Sequence, residues 1–354
     1  MDLLKDKRIL ITGGTGSLGK VLTKRLLSGS RGTPEKIIVF SRDEAKQHYM
    51  RLEYLRKERS TDEVIYDNFH RLLEFRIGDV RDYGAVCSVL KDVDLVVNAA
   101  ALKQVPSCEY FPTEAVATNI GGASNIARAL REHDFDVDTV VGVSTDKACK
   151  PVNVMGMTKA LQERVFIGAN ILQPKTRYIC VRYGNVLASR GSVVPLFHDQ
   201  IRMGGPVTVT TEEMTRFLLP LERAVDTILA ALENAAPGEV FVPRVPSSRI
   251  VDLARAMIGD RKIELRITGI RPGEKIHEIM VSEEEAWRTR DAGEYYAIAP
   301  MLPELLEDRR VAPALSMEYS SRNDVLSLED TAKMLAKYHL MPEDILKEEG
   351  DILR

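Results

Sequence analysis

The sequence predicts an α/β protein with a Rossmann-like, doubly wound parallel sheet and a smaller C-terminal substrate-binding part. Three observations carry this expectation. Short β-rich apolar runs alternate with helical stretches through the first half of the chain. A glycine-rich turn separates the first of these runs from the first helical pattern. After about residue 185 the alternation weakens. Strands that alternate with helices imply a parallel sheet covered on both faces.

The first strand is Arg8–Thr12 (RILIT), followed by Gly13-Gly14-Thr15-Gly16-Ser17-Leu18-Gly19 and a helical pattern through Val21, Leu22, Leu26 and Leu27. Further buried strands are expected at Lys36–Phe40, Leu73–Ile77, Asp94–Asn98, Thr139–Val143 and Tyr178–Arg182. Helices are expected around 43–58, 82–91, 113–132 and 154–171. Arg56–Asn68 is polar and charged and reads as a helix end and solvated loop, with a subunit contact as the alternative. Beyond 185, Gly204-Gly205-Pro206 marks a turn, 207–211 a short strand, 222–234 an amphipathic helix, Pro237-Gly238 a break and 248–257 a helix. Arg271-Pro272-Gly273-Glu274-Lys275 is a turn with charged flanks, and the last stretch is charged and helical. The expected division is therefore 1–185 for a nucleotide-binding domain and 186–354 for a mainly substrate-binding part with a C-terminal helical extension, with chain exchange between them.

Composition narrows the class. The chain has 354 residues, enough for about two domains at roughly 150 residues each. Its 49 Lys+Arg against 52 Asp+Glu give a formal charge of −3, which argues against a nucleic-acid coat or a polybasic membrane binder. No apolar run approaches the ~18 residues of a membrane span, and Met1–Lys7 lacks the shape of a signal peptide. Cys87, Cys108, Cys149 and Cys180 form no CxxC pair, and the six histidines show no metal spacing. A cytoplasmic protein without a metal is expected.

Thr12-Gly13-x-x-Gly16-x-x-Gly19 follows a strand and opens a helix. Glycines there allow a tight turn and close backbone approach to a pyrophosphate, which then faces the free N–H groups and positive dipole end of the helix. The spacing is GxxGxxG, and its weight comes from its position in the first βα unit. A carboxylate at the end of the second strand would select NAD, and an arginine there NADP. This chain reads Ser41-Arg42-Asp43-Glu44 with Lys46 beyond. A guanidinium pairs bidentately with phosphate, so NADP is expected, with NAD as the alternative. The competing reading pairs Arg42 with Asp43 or Glu44 on the surface. Asp79, beside Val80 after the third strand, would lie near the adenine. Ala99-Ala100-Ala101 after the fourth leaves room for the cofactor or packs tightly.

Ser144-Thr145-Asp146-Lys147 at the end of the fifth strand, and Met155-x-x-x-Lys159 opening the next helix, resemble the extended short-chain dehydrogenase/reductases. Further matches are Ala99–Pro106 (AAALKQVP), Arg182–Val186 (RYGNV), Ser189–Val193 (SRGSV), Met214–Phe217 (MTRF) and Arg271–Lys275 (RPGEK). Together they resemble the bacterial UDP-N-acetylglucosamine 4,6-dehydratases of polysaccharide biosynthesis, over roughly residues 5 to 300. The joint pattern is specific, although no single piece is. One departure stands out: the superfamily carries Tyr-x-x-x-Lys, and here Met155 takes the tyrosine's place. A subset of the 4,6-dehydratases shares that methionine, and Val105–Glu109 (VPSCE) is similar to the capsule-sugar enzymes that also invert C5.

The resemblance implies transient C4 oxidation, water loss across C5/C6 and hydride return to C6. It implies that Asp146 protonates the leaving hydroxyl and that Lys147 removes the C5 proton. A lysine base must be neutral, so a depressed Lys147 pKa is expected. Lys159 would bind the nicotinamide ribose. Met155 cannot accept a proton, and is expected to fill apolar space beside the nicotinamide. Asp146, directly or through Thr145 or a water, is then expected to take the C4-hydroxyl proton. An ordinary Asp–Lys surface pair is the bland alternative. The cofactor-contacting set is completed by Thr15, Ser17, Leu18 and Tyr183.

On the substrate side, Arg216 and Arg271 are the expected diphosphate donors. Asn185, Ser192, Val193 and Thr208 would add contacts, and Glu274 would reach the ribose hydroxyls. Lys103 lines the sugar site or packs over the cofactor. Cys108 reads as neutral packing rather than a nucleophile. The expected partner is UDP-N-acetylglucosamine or a related UDP-sugar, with no nucleic acid or membrane. A homo-oligomer is expected by analogy through the helices near 113–132 and 154–171. A UDP-sugar C4-epimerase or another sugar-nucleotide dehydratase is the runner-up; an idle NADP-binding scaffold or sensor is the non-enzyme alternative. The Asp146–Lys147 pair favours dehydration, because epimerisation needs no elimination.

Overall fold

Strand β1 (Arg8–Thr12) runs into the glycine turn, and helix α1 (Ser17–Leu27) leaves it. The computed structural model describes residues 2–56, 63–187, 192–306 and 312–344. The chain continues through β2 (Lys36–Ser41), α2 (Glu44–Arg56), α3 (Glu63–Leu72), β3 (Leu73–Ile77), α4 (Tyr83–Leu90) and β4 (Leu95–Asn98). Next come α5 (Val105–Tyr110), then α6 (Pro112–Ala115), a π turn (Val116–Gly121) and α7 (Gly122–Glu132) without a break. Strand β5 (Thr139–Thr145), a 3₁₀ turn (Asp146–Ala148), α8 (Val154–Leu172) and β6 (Arg177–Tyr183) complete the first half.

The second half holds α9 (Val193–Arg202), β7 (Val207–Val209), β8 (Thr215–Phe217), α10 (Leu221–Asn234), β9 (Val240–Pro243), β10 (Ser247–Arg249) and α11 (Ile250–Ile258). It ends with β11 (Leu265–Ile267), β12 (Ile279–Val281), α12 (Glu283–Ala286), β13 (Thr289–Ala292), β14 (Tyr295–Ile298), β15 (Tyr319–Ser320) and α13 (Leu328–Lys337).

The main sheet has the order β3-β2-β1-β4-β5-β6-β9-β14-β13. From β3 to β9 every pair is parallel, and β14 and β13 close the far edge antiparallel. This is the 3-2-1-4-5-6 order of a doubly wound dinucleotide-binding sheet, extended by three strands. The central strands are buried along almost their whole length, as strands covered on both faces must be. Edge strand β3 (LEFRI) interleaves charges and stays partly exposed.

The second half contains elements that the sequence expectation lacked, among them one helix and three strands of the main sheet. Val193–Arg202, which carried no helical reading, forms α9 by burying Val194, Phe197, His198 and Ile201, at helical spacing. Strands β9, β13 and β14 leave the second half and join the main sheet. They were missed because β9 is four residues long and β13 carries charges at an edge. A separate apolar cluster, including Leu187, Phe197, Val207, Leu253, Met257 and Leu335, holds the remaining small elements together.

The expected loop at Arg56–Asn68 is also corrected in part. Residues 57–62 lie outside the described residues, and from Glu63 onward the chain is helical. Ile65, Asn68, Phe69 and Leu72 turn inward. Phe69 stacks on Tyr54, and Asn68 Nδ2 donates to the Leu27 carbonyl at 2.7 Å. Four inward residues among charges were too sparse to outweigh the polar composition.

Candidate active site

The glycine turn is shaped for close approach. Gly13 has φ +66°, and a Cβ there would sit 2.8 Å from the Ala100 Cα. The turn is closed by a hydrogen bond from Gly16 N–H to the Gly13 carbonyl at 2.9 Å. Helix α1 then starts without a side-chain cap and without an acid in its first turn, so its N–H groups and positive dipole end remain available to an anion. Thr12 Oγ1 donates to Asn98 Oδ1 at 2.7 Å and accepts from Ala100 N–H at 3.2 Å, which ties the Ala99–Ala101 backbone to the turn. Ser17 and Leu18 form the first helical residues and Gly19 is buried beneath them.

Beside the turn, the Thr15 and Ser41 hydroxyls lie 3.0 Å apart. Arg42 is over half exposed and faces Asp79 Oδ2 at 3.6 Å, rather than Asp43 or Glu44. Lys46 pairs with Asp43 at 2.5 Å. Asp79 also accepts from Arg81, and these two arginines outweigh the upward push of burial to hold its carboxyl below the ordinary value. Val80 is buried beneath α7. Tyr183 is buried in the core of the sheet.

A second centre lies at the carboxyl end of β5, where open parallel sheets place their ligands. Asp146 is wholly buried. Its Oδ1 accepts from Thr145 Oγ1 at 2.9 Å and from Lys147 Nζ at 3.1 Å. Lys147 Nζ also donates to Asn185 Oδ1 at 2.9 Å and lies 3.1 Å from Glu278 Oε1. Arg216 Nε approaches the same Glu278 oxygen at 3.7 Å. Asp146 Oδ2 and Glu278 Oε2 are both buried with no hydrogen-bond partner among the described residues.

Burial raises the Asp146 carboxyl, although Lys147 opposes the shift. Burial pushes Lys147 down, but Asp146 and Glu278 outweigh it and the net direction is up. The expectation of a depressed Lys147 is therefore corrected: two carboxylates meet this lysine, and it rests as an ammonium. The bland alternative, a surface Asp–Lys pair, is excluded by the burial of Asp146.

Lys159 behaves in the opposite way. It is buried on α8, donates to the Val143 carbonyl at 2.5 Å and to Gln162 Oε1 at 2.6 Å, and burial pushes it down to about 8. Asn153 caps α8 through the Gly156 N–H at 2.8 Å and donates to the Gly273 carbonyl at 2.8 Å. Gly156 lets α8 begin against the loop, because a Cβ there would collide with the Lys147 carbonyl. Met155 is buried in a small cluster with Cys108 and Ala115. Burial also pushes the Cys108 thiol up, as suits packing rather than nucleophilic attack.

The expected substrate residues are divided by the structure. Asn185 and Arg216 join the Asp146–Lys147 cluster. Arg216 is buried, and its NH1 is committed to the Thr215 and Ile276 carbonyls at 2.7 and 3.1 Å. Ser192 opens α9 with a buried hydroxyl that has no hydrogen-bond partner among the described residues, next to Val193. Glu274 Oε2 is likewise buried without a partner among the described residues, while Arg271 on the same turn is exposed. Thr208 accepts from Gln200 Nε2 at 2.8 Å and its N–H donates to Gln200 Oε1 at 3.0 Å. Lys103 is exposed on the segment after the alanines. Ser189, Arg190 and Gly191 of the matching motif lie outside the described residues.

The sequence family described as "Polysaccharide biosynthesis protein" matches residues 9–300. This chain belongs to that family. Among polysaccharide biosynthesis proteins, a UDP-glucose 4-epimerase of Rickettsia conorii is 41% identical over 352 residues, covering 96% of this chain and 98% of that one. A UDP-N-acetylglucosamine 4,6-dehydratase (inverting) of Campylobacter jejuni is 42% identical over 303 residues, covering 85% of each. Among solved structures, Pen from Bacillus thuringiensis is 33% identical with a TM-score of 0.83, covering 95% of this chain and 99% of that one.

Sequence reasoning missed three residues of this polysaccharide biosynthesis protein's site. Glu278 arrives from a separate segment and carries no motif of its own. Asn119 sits in the π turn; it accepts from the Leu102 N–H at 2.8 Å and donates to the Leu102 carbonyl and Thr158 Oγ1. It thereby pins the loop after β4 to α8. A π turn inside a longer helix marks functional sites often, but no pattern in residues 112–132 announces it. Glu163 is buried on α8 and pairs with Arg182, which also pairs with Glu285, each at 2.7 Å. That network clamps β6 to α8 and α12; removing one partner of such a buried pair typically costs about 3–5 kcal/mol.

Proposed function

We propose that this protein is a sugar-nucleotide 4,6-dehydratase that acts on UDP-N-acetylglucosamine with NADP as the resident cofactor. The observation that carries the reading is the buried Asp146–Lys147 pair at the end of β5. Moving a hydride off and back onto C4 needs no second acid–base pair. Eliminating water across C5 and C6 needs a base at C5 and an acid at the C6 oxygen.

The residues at the glycine turn fit a dinucleotide. Gly13, Gly16 and the uncapped start of α1 would hold the pyrophosphate, with Thr12, Ser17, Leu18 and Gly19 shaping the turn and Thr15, Ser41, Arg42 and Lys46 around the adenosine ribose. Asp79 and Val80 would lie at the adenine, and Ala99–Ala101, Lys159 and Tyr183 toward the nicotinamide. Such a cofactor, when bound, accepts a hydride from the substrate and returns it. Ser41 in place of a carboxylate and the exposed Arg42 favour the 2′-phosphate of NADP over NAD.

The chain's own residues would do the rest. Asp146 rests unusually ready to hold a proton, and Lys147 rests charged. Lys147 first gives one proton to solvent; its neutral amine then abstracts the C5 proton and later returns it, while the Asp146 carboxylate takes the C4-hydroxyl proton and passes it to the departing C6 hydroxyl. Thr145, bonded to Asp146, would link that carboxyl to the C4 hydroxyl, since Met155 offers no proton acceptor. Asn185, Ser192, Val193, Thr208, Arg216, Arg271, Glu274 and Lys103 would frame the UDP-sugar. Inversion at C5 follows when the proton returns to the opposite face, and the VPSCE phrase shared with inverting enzymes favours it. In this reading residues 1–185 serve mainly the cofactor, 186–354 mainly the sugar nucleotide, and copies pair through α7 and α8 in a cytoplasmic homo-oligomer.

A 4-epimerase is the second reading, favoured by the near full-length similarity to proteins so named. Incubation with UDP-N-acetylglucosamine, read by mass spectrometry, separates the two. A product lighter by one water is expected; a product of unchanged mass would replace dehydration with epimerisation. Deuterium at C5 after reaction in D₂O, read with the C5 configuration by NMR, tests inversion.

A further inference from the structure

Glu278 belongs to no motif read from the sequence, yet it closes the cradle around Lys147. Three acceptors surround that ammonium: Asp146 Oδ1 at 3.1 Å, Asn185 Oδ1 at 2.9 Å and Glu278 Oε1 at 3.1 Å. An ammonium has three N–H donors, so the set is complete when Lys147 is charged. We infer that Glu278 is a positioning residue, which holds the Lys147 ammonium in that cradle and sets the pH at which the lysine becomes a base. The inference deepens the dehydratase reading and rests on it for its kinetic arm.

The geometry explains why Glu278 can do this and remain an anion. Its Oε1 is shared by Lys147 and Arg216, while its Oε2 is buried and unpartnered among the described residues. Burial would raise the Glu278 carboxyl, but Lys147 and Arg216 outweigh it and hold it down. The charged groups facing Lys147 come from four elements: Asp146 after β5, Glu278 beside β12, Arg216 on β8 and Lys275 on the turn before β12. Lys275 is tethered to the Cys149 carbonyl at 2.6 Å, and burial pushes it down. Arg216 and Lys275 therefore oppose the two carboxylates. Glu278 tips this balance toward the ammonium, because its oxygen touches Nζ.

The neighbouring hydrogen bonds fix Glu278 from behind. Its N–H donates to Ser321 Oγ at 2.9 Å, and its carbonyl accepts from Ser321 N–H at 2.8 Å. Thr215, next to Arg216, bonds the same Ser321 hydroxyl at 2.7 Å. Strands β8 and β12 and the segment after β15 thus converge on one serine, which aligns Glu278 and Arg216 with each other. A distant segment thereby delivers a carboxylate to a lysine in the turn after β5.

The test compares wild type, Glu278→Gln and Glu278→Asp in the cofactor-loaded enzyme. Lysine is labelled with ¹³C at Cε, and the Lys147 signal is assigned by its loss in Lys147→Arg. In wild type, Lys147 is expected to titrate above an ordinary lysine; titration below it would overturn the inference without any variant. In Glu278→Gln the midpoint is expected to fall by about one pH unit or more, with Glu278→Asp remaining nearer wild type. Equal shifts in both variants, or none in either, would overturn the inference. In kinetics, the acid limb of kcat/KM is expected to move to lower pH in Glu278→Gln, with the optimum lowered by about tenfold. A uniform loss at every pH would mark a merely structural role and overturn the inference. If the NMR shifts appear and no UDP-sugar is dehydrated by wild type, the positioning of Lys147 stands and the dehydratase reading fails.

Discussion

Two sites lie at the carboxyl edge of one sheet and are built in contrasting ways. The turn after β1 is made of backbone: Gly13 at positive φ, the free N–H groups of α1, and the Ala99–Ala101 strand end drawn close. The cluster after β5 is made of side chains, drawn from residues 146, 147, 185, 216 and 278. A backbone site depends on a few consecutive residues and tolerates much change around them. A side-chain site depends on distant segments arriving together, and each member changes the charge of the others. In the proposed reading the first holds the cofactor and the second decides what is done with it.

The largest test of this contrast is Asp146→Asn. Loss of the carboxyl is expected to lower turnover by about 10³-fold, within the usual range for an acid–base group, while dinucleotide affinity, followed by calorimetry, stays near wild type. Full turnover in the variant would break the division between the two sites. The converse is Gly13→Ala. Its Cβ would meet Ala100 in a conformation that alanine adopts poorly. Dinucleotide affinity is expected to fall at least about tenfold, with a stability loss of about 1–3 kcal/mol. Unchanged affinity would mean that the turn does not hold the pyrophosphate.

The same contrast explains what the sequence revealed. The parallel strands β1 to β6 could be read because each is a short apolar run between helical patterns, and the structure places all six where expected within a residue or two. The glycine turn could be read because its chemistry lies in consecutive residues. Asp146 and Lys147 could be read because they are adjacent. Glu278 could not, because its role exists only once β12 lies beside β5, and an isolated glutamate in a charged segment has no period. The charge of Lys147 failed for the same reason: one carboxylate was visible in the sequence, and the second was not. Strands β9, β13 and β14 were hidden by brevity, since short elements owe their form to tertiary packing more than to propensity.

Between the two sites in expected size stands Arg42→Ala. If this exposed guanidinium receives a 2′-phosphate, the ratio of NADP to NAD affinity should fall about tenfold, near the lower end for a hydrogen bond to a charged group. The competing outcome is instructive. Arg42 faces Asp79 at 3.6 Å, and an unchanged ratio would leave it as a partner of that carboxylate and sharpen the backbone character of the cofactor site.

The smallest effect separates Lys147 from Lys159. Burial holds Lys159 at about 8, below the ordinary 10.5. Between those values the unfolded chain binds more protons than the folded one, so Lys159 makes stability rise with pH through this window. Lys147 is shifted upward by Asp146 and Glu278, although burial opposes them. Its contribution is fully present below the ordinary value and is lost as pH rises through the folded one. Denaturant unfolding of the cofactor-free protein from pH 7.5 to 10, each value taken as wild type minus variant, should therefore give a rising difference for Lys159→Met. The Lys147→Met difference should stay flat until pH approaches the ordinary lysine value. Parallel curves would mean that both lysines rest in the same protonation state, and that the charge contrast between them does not exist in solution.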